Sequence, residues 1–341
     1  METRLLQADA RSIGLAAELI RGGKLVGFPT ETVYGLGADA LNPGAVLDIF
    51  AAKGRPADNP LIVHIAAEEE MEPLCAVCDR AHRLAAAFWP GPLTMILPKK
   101  EIVPTEVTAG LDSVAIRMPA HPVAQALIRE SGRPIAAPSG NRSGRPSPTC
   151  AGHMMEDMAG RIPLILDGGP CRIGVESTVV ALTGDVATVL RPGGVTPEMI
   201  AAVLGECQVA DSVMRPLKDG EAAPSPGMKH KHYAPRARMT LYEGEAAAVA
   251  ARIKAEYDAL TADEKGLILA ASGHLPMYGD RRTADLGPDT WAAARQIFAA
   301  LRQADADGVT RVFSESYPET GVGLAVMNRM ARAAGFDIVK A

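Results

Sequence analysis

Residues 25–65 read LVGFPTETVYGLGADALNPGAVLDIFAAKGRPADNPLIVHI, and this stretch decides the fold. Lys24 to Phe28 is a short apolar strand, followed by a polar loop rich in hydroxyls and glycine. Asn42-Pro43 then gives a cap followed by proline at the first helical position, and the helix through AVLDIFAAK stops at Gly54. Leu61 to Ile65 is the next strand, so the unit is strand, helix, strand. Its loops carry Thr30, Thr32, Gly35, Gly37, Lys53 and Arg55, and His64 lies inside the second strand. Hydroxyls, glycines and cations at strand ends suit the binding of an anion.

Working outward, the same alternation continues on both sides. SIGLAAELIR at 12–21 has helical spacing and ends at Gly22-Gly23. Residues 79–89 and 121–130 read as helices, and 93–97, 113–118 and 163–166 as strands. Strands at 175–180 and 186–190 precede a helix at 196–204. Residues 206–235 lose periodicity and gain prolines at 216, 224, 226 and 235, so they read as a linker. Strand–helix alternation then restarts from 236 and predicts a small parallel-sheet domain. The expected organisation is a first domain over 1–205, a linker over 206–235 and an α/β domain over 236–341.

Composition narrows the function. Hydrophobic residues make up 48% and aromatics only 4%, so the core is aliphatic. A net charge of -5, and 13 basic against 14 acidic residues from 236 on, argue against a chain that coats nucleic acid through bulk charge. The five cysteines lack framework spacing, and the C-x-x-C of Cys75 and Cys78 has no second pair to complete a zinc site, so no metal ligands are assigned. Asp9 and Arg11 interrupt any leader pattern at the N-terminus, and no apolar run reaches membrane-spanning length. The expectation is a cytoplasmic protein with no membrane contact.

Four features carry chemistry. Lys53-Gly-Arg55 can neutralise a polyphosphate, or can simply cap a helix C-terminus where cations are favoured. Ser139-Gly140-Asn141 with Ser143, Gly144 and Ser147 can offer N–H groups and hydroxyls to phosphate oxygens, or form an ordinary loop. Arg117, in the otherwise apolar DSVAIRMP, is either an anion clamp or half of a structural ion pair. His64 has the same two readings, ligand or satisfied core histidine. Neither a P-loop nor a strand-linked G-x-G-x-x-G is present, and no nucleophile triad stands out. From residues alone, this is an α/β protein with a polar, cationic pocket for an anionic small molecule or nucleotide.

The spread-out K-x-R and S-x-N, here Lys53-Gly-Arg55 and Ser139-Gly140-Asn141, resemble the signature of the YrdC-type threonylcarbamoyl-AMP synthase family in its longer form. PTETVYGLG at 29–37, NPLIVHI at 59–65, VESTVV at 175–180 and SPGMKHKHYAP at 225–235 match as well. Two departures are Gly140, where the family usually has alanine, and His230-Lys231, where an aromatic-basic pair is usual.

The resemblance implies a YrdC-like twisted mixed sheet with helices, followed by a smaller Rossmann-like α/β domain. It implies that L-threonine, bicarbonate and ATP become threonylcarbamoyl-AMP and pyrophosphate, for threonylcarbamoyladenosine modification of tRNA. Lys53 and Arg55 would be catalytic. Thr32, His64, Arg117, Ala137 and Ser177 would bind L-threonine. Arg55, Asn59, Ser113, Ser139, Asn141, Ser147, Arg191 and Tyr233 would bind ATP, with Tyr233 and the 213–235 linker folding over the nucleotide. Magnesium would arrive on the triphosphate. A downstream threonylcarbamoyl-transfer complex and a weak contact with tRNA are the further partners implied. The alternatives are an RNA-binding module and a carbamoyl-adenylate transferase.

Overall fold

The computed structural model describes residues 1–215 and 233–341. Among them, 1–143 and 147–213 form one compact unit, and 144–146, 214–215 and 233–341 form a second. The expected linker lies mostly outside the described residues, as do the His230-Lys231 departure and the central part of the expected lid. Its first part is not a linker: Gln208–Val209 pairs in parallel with Thr188–Arg191, and a short 3₁₀ turn follows at Asp211–Val213.

In the first unit the strands are β1 (Arg4–Gln7), β2 (Val26–Phe28), β3 (Gly35–Asp39), β4 (Ile62–His64), β5 (Leu93–Pro98) and β6 (Ser113–Arg117). They continue as β7 (Ile135–Ala136), β8 (Leu164–Asp167), β9 (Thr178–Ala181), β10 (Thr188–Arg191) and β11 (Gln208–Val209). All join one mixed sheet in the order β1-β8-β2-β3-β7-β4-β6-β5-β9-β10-β11.

The helices cover this sheet from two sides. Ala10–Arg21 and Pro122–Ser131 bury Ala16, Ala17, Ile20, Ala124, Leu127 and Ile128 in one cluster. Pro43–Lys53, Asp79–Phe88 and Ala151–Met158 bury Val46, Ile49, Leu84 and Met154 in another. A third, small cluster is Ile62, Ile96, Ala115 and Val179, on strands β4, β5, β6 and β9.

The main departure from the sequence reading is β3. Gly35 and Gly37 place this stretch in a polar loop by sequence, yet residues 35–39 pair antiparallel with β2 along Val26↔Gly37 and Phe28↔Gly35. The reason is steric. The Phe28 ring lies over both glycines, and a Cβ on Gly37 would come within 2.7 Å of it. Glycine makes room for that ring, and the alternating leucine and alanine complete the strand.

The second unit is a parallel sheet of β12 (Arg238–Glu243), β13 (Gly266–Ala270), β14 (Thr283–Asp285), β15 (Arg311–Glu315) and β16 (Ile338–Lys340), ordered β14-β13-β15-β12-β16. Its core includes Tyr242, Ile253, Ile268, Tyr278 and Phe313. Among the described residues no helix is long and apolar enough to cross a membrane.

Candidate active site

Register alone assembles a polar row. His64 on β4 is the Cα partner of Arg117 on β6, and Arg117 is the partner of Thr94 on β5. Directly opposed residues share a sheet face, so His64, Arg117 and Thr94 stand side by side. The neighbouring row on the same face is Ile62, Ala115 and Ile96, the small apolar cluster noted above. Ser113 ends the same face of β6, four residues from Arg117 and therefore about 13 Å along the strand. An apolar floor thus separates a cation at one end from a hydroxyl at the other.

Arg117 is buried and held on three sides. Its Nε donates to the Gly91 carbonyl (3.2 Å), Nη1 to Thr32 Oγ1 (3.0 Å) and Nη2 to Glu31 Oε1 (2.6 Å). The second Glu31 oxygen accepts from the Ala120 N–H (3.1 Å). Burial works against ionisation of Glu31, but the charge and hydrogen bond of Arg117 outweigh it and hold the carboxyl below its ordinary range. Arg117 is thus half of a buried ion pair, one of its two sequence readings, and it also reaches Thr32.

His64 is neutral. Burial and then the nearby Arg117 charge push its pKa down to about 3. Its Nδ1 faces the carbonyls of Ile62 (3.1 Å) and Ile135 (3.3 Å), so Nδ1 carries the proton and Nε2 is left as an acceptor. Ala137 follows β7, and its N–H donates to the carbonyl of Ile62 on the histidine strand (2.9 Å).

Ser177 lies one residue before β9. Its hydroxyl shares a hydrogen bond with Thr94 (2.8 Å) and accepts from Arg191 Nη2 (3.1 Å), while Arg191 Nε donates to its carbonyl (3.0 Å). Ser147 donates to Glu176 next door. Gly193 packs against this corner so closely that a Cβ there would lie 2.4 Å from the Thr178 nitrogen.

The K-x-R and S-x-N segments meet. The buried ammonium of Lys53 donates to the carbonyl oxygens of Ser139 and of Asn141, the latter at 2.5 Å. It therefore shapes the bend. Ser139 Oγ donates to Asn141 Oδ1 (2.5 Å), and the Gly140 N–H donates to the Tyr34 carbonyl (2.8 Å). Gly140 fits because Met154 fills the space beside it: an added Cβ would meet the Met154 methyl at 2.6 Å. Gly54 in the left-handed region (φ 62°) turns the chain between Lys53 and Arg55. Arg55 stacks over Phe50 and donates to the Asn59 carbonyl (3.1 Å).

Contacts and register thus bring together Thr32, His64, Arg117, Ser177 and Arg191 in one group, and Lys53, Ser139 and Asn141 in another. Arg55 and Asn59 pair with each other. Tyr233 belongs to the second unit, where its ring stacks on Phe298 (centroids 5.2 Å apart) and lies under Arg329 (5.4 Å).

Three participants were not singled out from the sequence: Glu31, Glu176 and Thr94. The signal was present for the first two, since each is a carboxylate inside a hydroxyl-rich motif next to apolar strands. Among the described residues no group of three or more His, Cys, Asp or Glu could hold a metal ion.

Known proteins resemble the chain in sequence and fold. Residues 18–193 match the family model described as "Telomere recombination", and residues 195–335 match "Threonylcarbamoyl-AMP synthase, C-terminal domain". The threonylcarbamoyl-AMP synthase of Pyrococcus abyssi is 50% identical, over 96% of this chain and 95% of the relative. That of Bacillus subtilis is 47% identical, over 98% and 96%. The crystal structure of P. abyssi Sua5 complexed with L-threonine superposes with a TM-score of 0.93 at 48% identity, covering 100% of this chain and 99% of that one. The chain belongs to the threonylcarbamoyl-AMP synthase family, with both of the family's domains in place.

Proposed function

We propose that this chain condenses L-threonine, bicarbonate and ATP into threonylcarbamoyl-AMP and pyrophosphate, as a nucleotidyltransferase. The observation that carries the reading is the strip on β4, β5 and β6: a cation and a neutral imidazole at one end, Ser113 at the other, and an apolar floor between. The amino acid would take the polar end, and the nucleotide would run from there over the apolar floor toward Ser113.

Arg117, Thr32, His64, Ala137 and Ser177 take the amino acid. His64 Nε2 and Thr32 Oγ1 are acceptors, suited to its amine or hydroxyl; Arg117 suits its carboxylate. Arg55, Asn59, Ser113, the 139–141 bend, Ser147 and Arg191 take ATP, with Lys53 holding the bend in shape. The amine adds to the carbon of bicarbonate, water leaves, and the resulting carbamate oxygen attacks the α-phosphorus as the bond to pyrophosphate breaks. Arg55 and Arg191 balance charge on the departing phosphates, so the protein supplies positioning and electrostatics without a covalent intermediate. A divalent ion would enter with the triphosphate, because among the described residues no group of carboxylates could hold it. The product, a reactive mixed anhydride, is then passed on for transfer to tRNA.

The test supplies ATP, threonine and bicarbonate, follows pyrophosphate, and identifies the adenylate by mass. Release that depends on both threonine and bicarbonate supports the reading. Pyrophosphate release that ignores threonine would overturn it.

A further inference from the structure

We infer that Glu31 is a positioning residue for the amino-acid subsite, acting through Arg117 to fix Thr32 as a pure hydrogen-bond acceptor. The inference rests on the amino-acid subsite proposed above. It follows from counting protons.

The Thr30 hydroxyl has one proton, and it donates that proton to the Val33 carbonyl at 2.6 Å. In the 2.8 Å contact between Thr30 and Thr32, the donor is therefore Thr32. Thr32 Oγ1 also accepts from Arg117 Nη1 at 3.0 Å. Its proton and one lone pair are then committed, and its other lone pair can only accept. Thr32 suits an amine N–H or a hydroxyl of the substrate and repels a carboxylate.

This wiring holds only while Arg117 keeps its orientation, which Glu31 sets. One Glu31 oxygen accepts from Arg117 Nη2 at 2.6 Å and the other from the Ala120 N–H at 3.1 Å. The backbone of this pair is pinned as well, by Ile173 N–H to the Glu31 carbonyl (2.9 Å) and Gly174 N–H to the Thr32 carbonyl (3.1 Å). Glu31 itself is 2% exposed and buried beneath the guanidinium, so its effect on substrate runs through Arg117. Arg117 has five N–H groups, and its contacts here occupy three, leaving one on each terminal nitrogen for a carboxylate. Together the three residues read an α-carboxylate on Arg117 and a donor on Thr32, the pattern of a 2-amino acid.

Only a carboxylate can serve both donors. A glutamine at 31 has one acceptor oxygen, and its NH₂ would face either Arg117 or the Ala120 N–H. Glu31→Gln should therefore raise the threonine KM at least about tenfold, the size of one lost charge-assisted bond. The ATP KM should stay within about twofold. Glu31→Asp, which keeps the charge, should recover part of the loss. Because Glu31 and Thr32 act on one wire, Glu31→Asp combined with Thr32→Val should cost less than the two single effects multiplied.

Threonine titration calorimetry and pyrophosphate kinetics are run together on the full chain, with ATP binding as the check on folding. Equal rises in both KM values, or an unchanged threonine affinity in folded Glu31→Gln, overturn the inference. If Glu31→Gln does not fold, multiplicative effects in the Glu31→Asp and Thr32→Val cycle overturn it instead. A wild type that binds threonine but releases no pyrophosphate defeats the proposed function and leaves the role of Glu31 to be decided by the titration. A wild type that binds no threonine overturns both.

Discussion

Arg117 is satisfied by Gly91, Thr32 and Glu31 in a strand interior, where an unpaired guanidinium would be very costly. Arg117→Ala should raise the threonine KM roughly 10- to 100-fold while moving the ATP KM far less, which initial-rate kinetics would read. The same change strands buried Glu31, so denaturant unfolding should show a loss of about 3–5 kcal/mol. Lys53→Met should act on the other substrate: with the 139–141 bend no longer held, the ATP KM rises while threonine affinity measured by titration stays near wild type. The sequence made Arg117 conspicuous, because a charge in an apolar strand needs an explanation. It did not reveal Glu31, 86 positions away, because composition carries no cross-strand register. Lys53 was legible as important, but nothing local says that its ammonium reaches backbone carbonyls 86 and 88 positions away.

The helices were the readable elements. Pro43–Lys53 has its Asn42 cap, its N1 proline and its Gly54 stop where the residue types place them. Gly54→Ala puts a Cβ at a positive φ and should cost about 1 kcal/mol in chemical denaturation, less than a core defect because nothing crowds the position. Gly193→Ala is the opposite case. Its φ is ordinary, but the new carbon would strike the backbone at Glu176, Ser177 and Thr178, so a loss of about 1–3 kcal/mol together with weaker threonine binding is expected. Strands were harder. The 35–39 strand was hidden by its two glycines, which suit a loop by propensity and a strand only once the Phe28 ring is known to lie across them. Short pairings such as Ile135–Ala136 and Gln208–Val209 are made by their neighbours and have no pattern of their own.

At the scale of the whole molecule, buried ionisable groups tie stability to acidity. His64 titrates near 6.5 when unfolded and at about 3 when folded, so unfolded chains take up its proton first. The stability this gives is complete above pH 6.5 and drains away as pH falls toward 3, at up to about 1.4 kcal/mol per pH unit. Glu31, held below its ordinary range, adds a second loss below pH 4.5. Urea unfolding from pH 7 to 4 should show this decline, and His64→Asn should flatten its upper part. The division into two α/β bodies was legible from where periodicity lapses and restarts, whereas the order of eleven strands was not, because neighbours in the sheet are seldom neighbours in the chain. The same fact governs how the pocket comes into being. Glu31 to Arg117, Lys53 to Ser139 and Thr94 to Ser177 each close a span of more than eighty residues. Such distant closures are slow to form and gain little until several are made together. A nascent chain therefore has no half-built, weakly active centre: competence to bind the amino acid should appear in a single late step of refolding, and on mild denaturation it should vanish as one cooperative event.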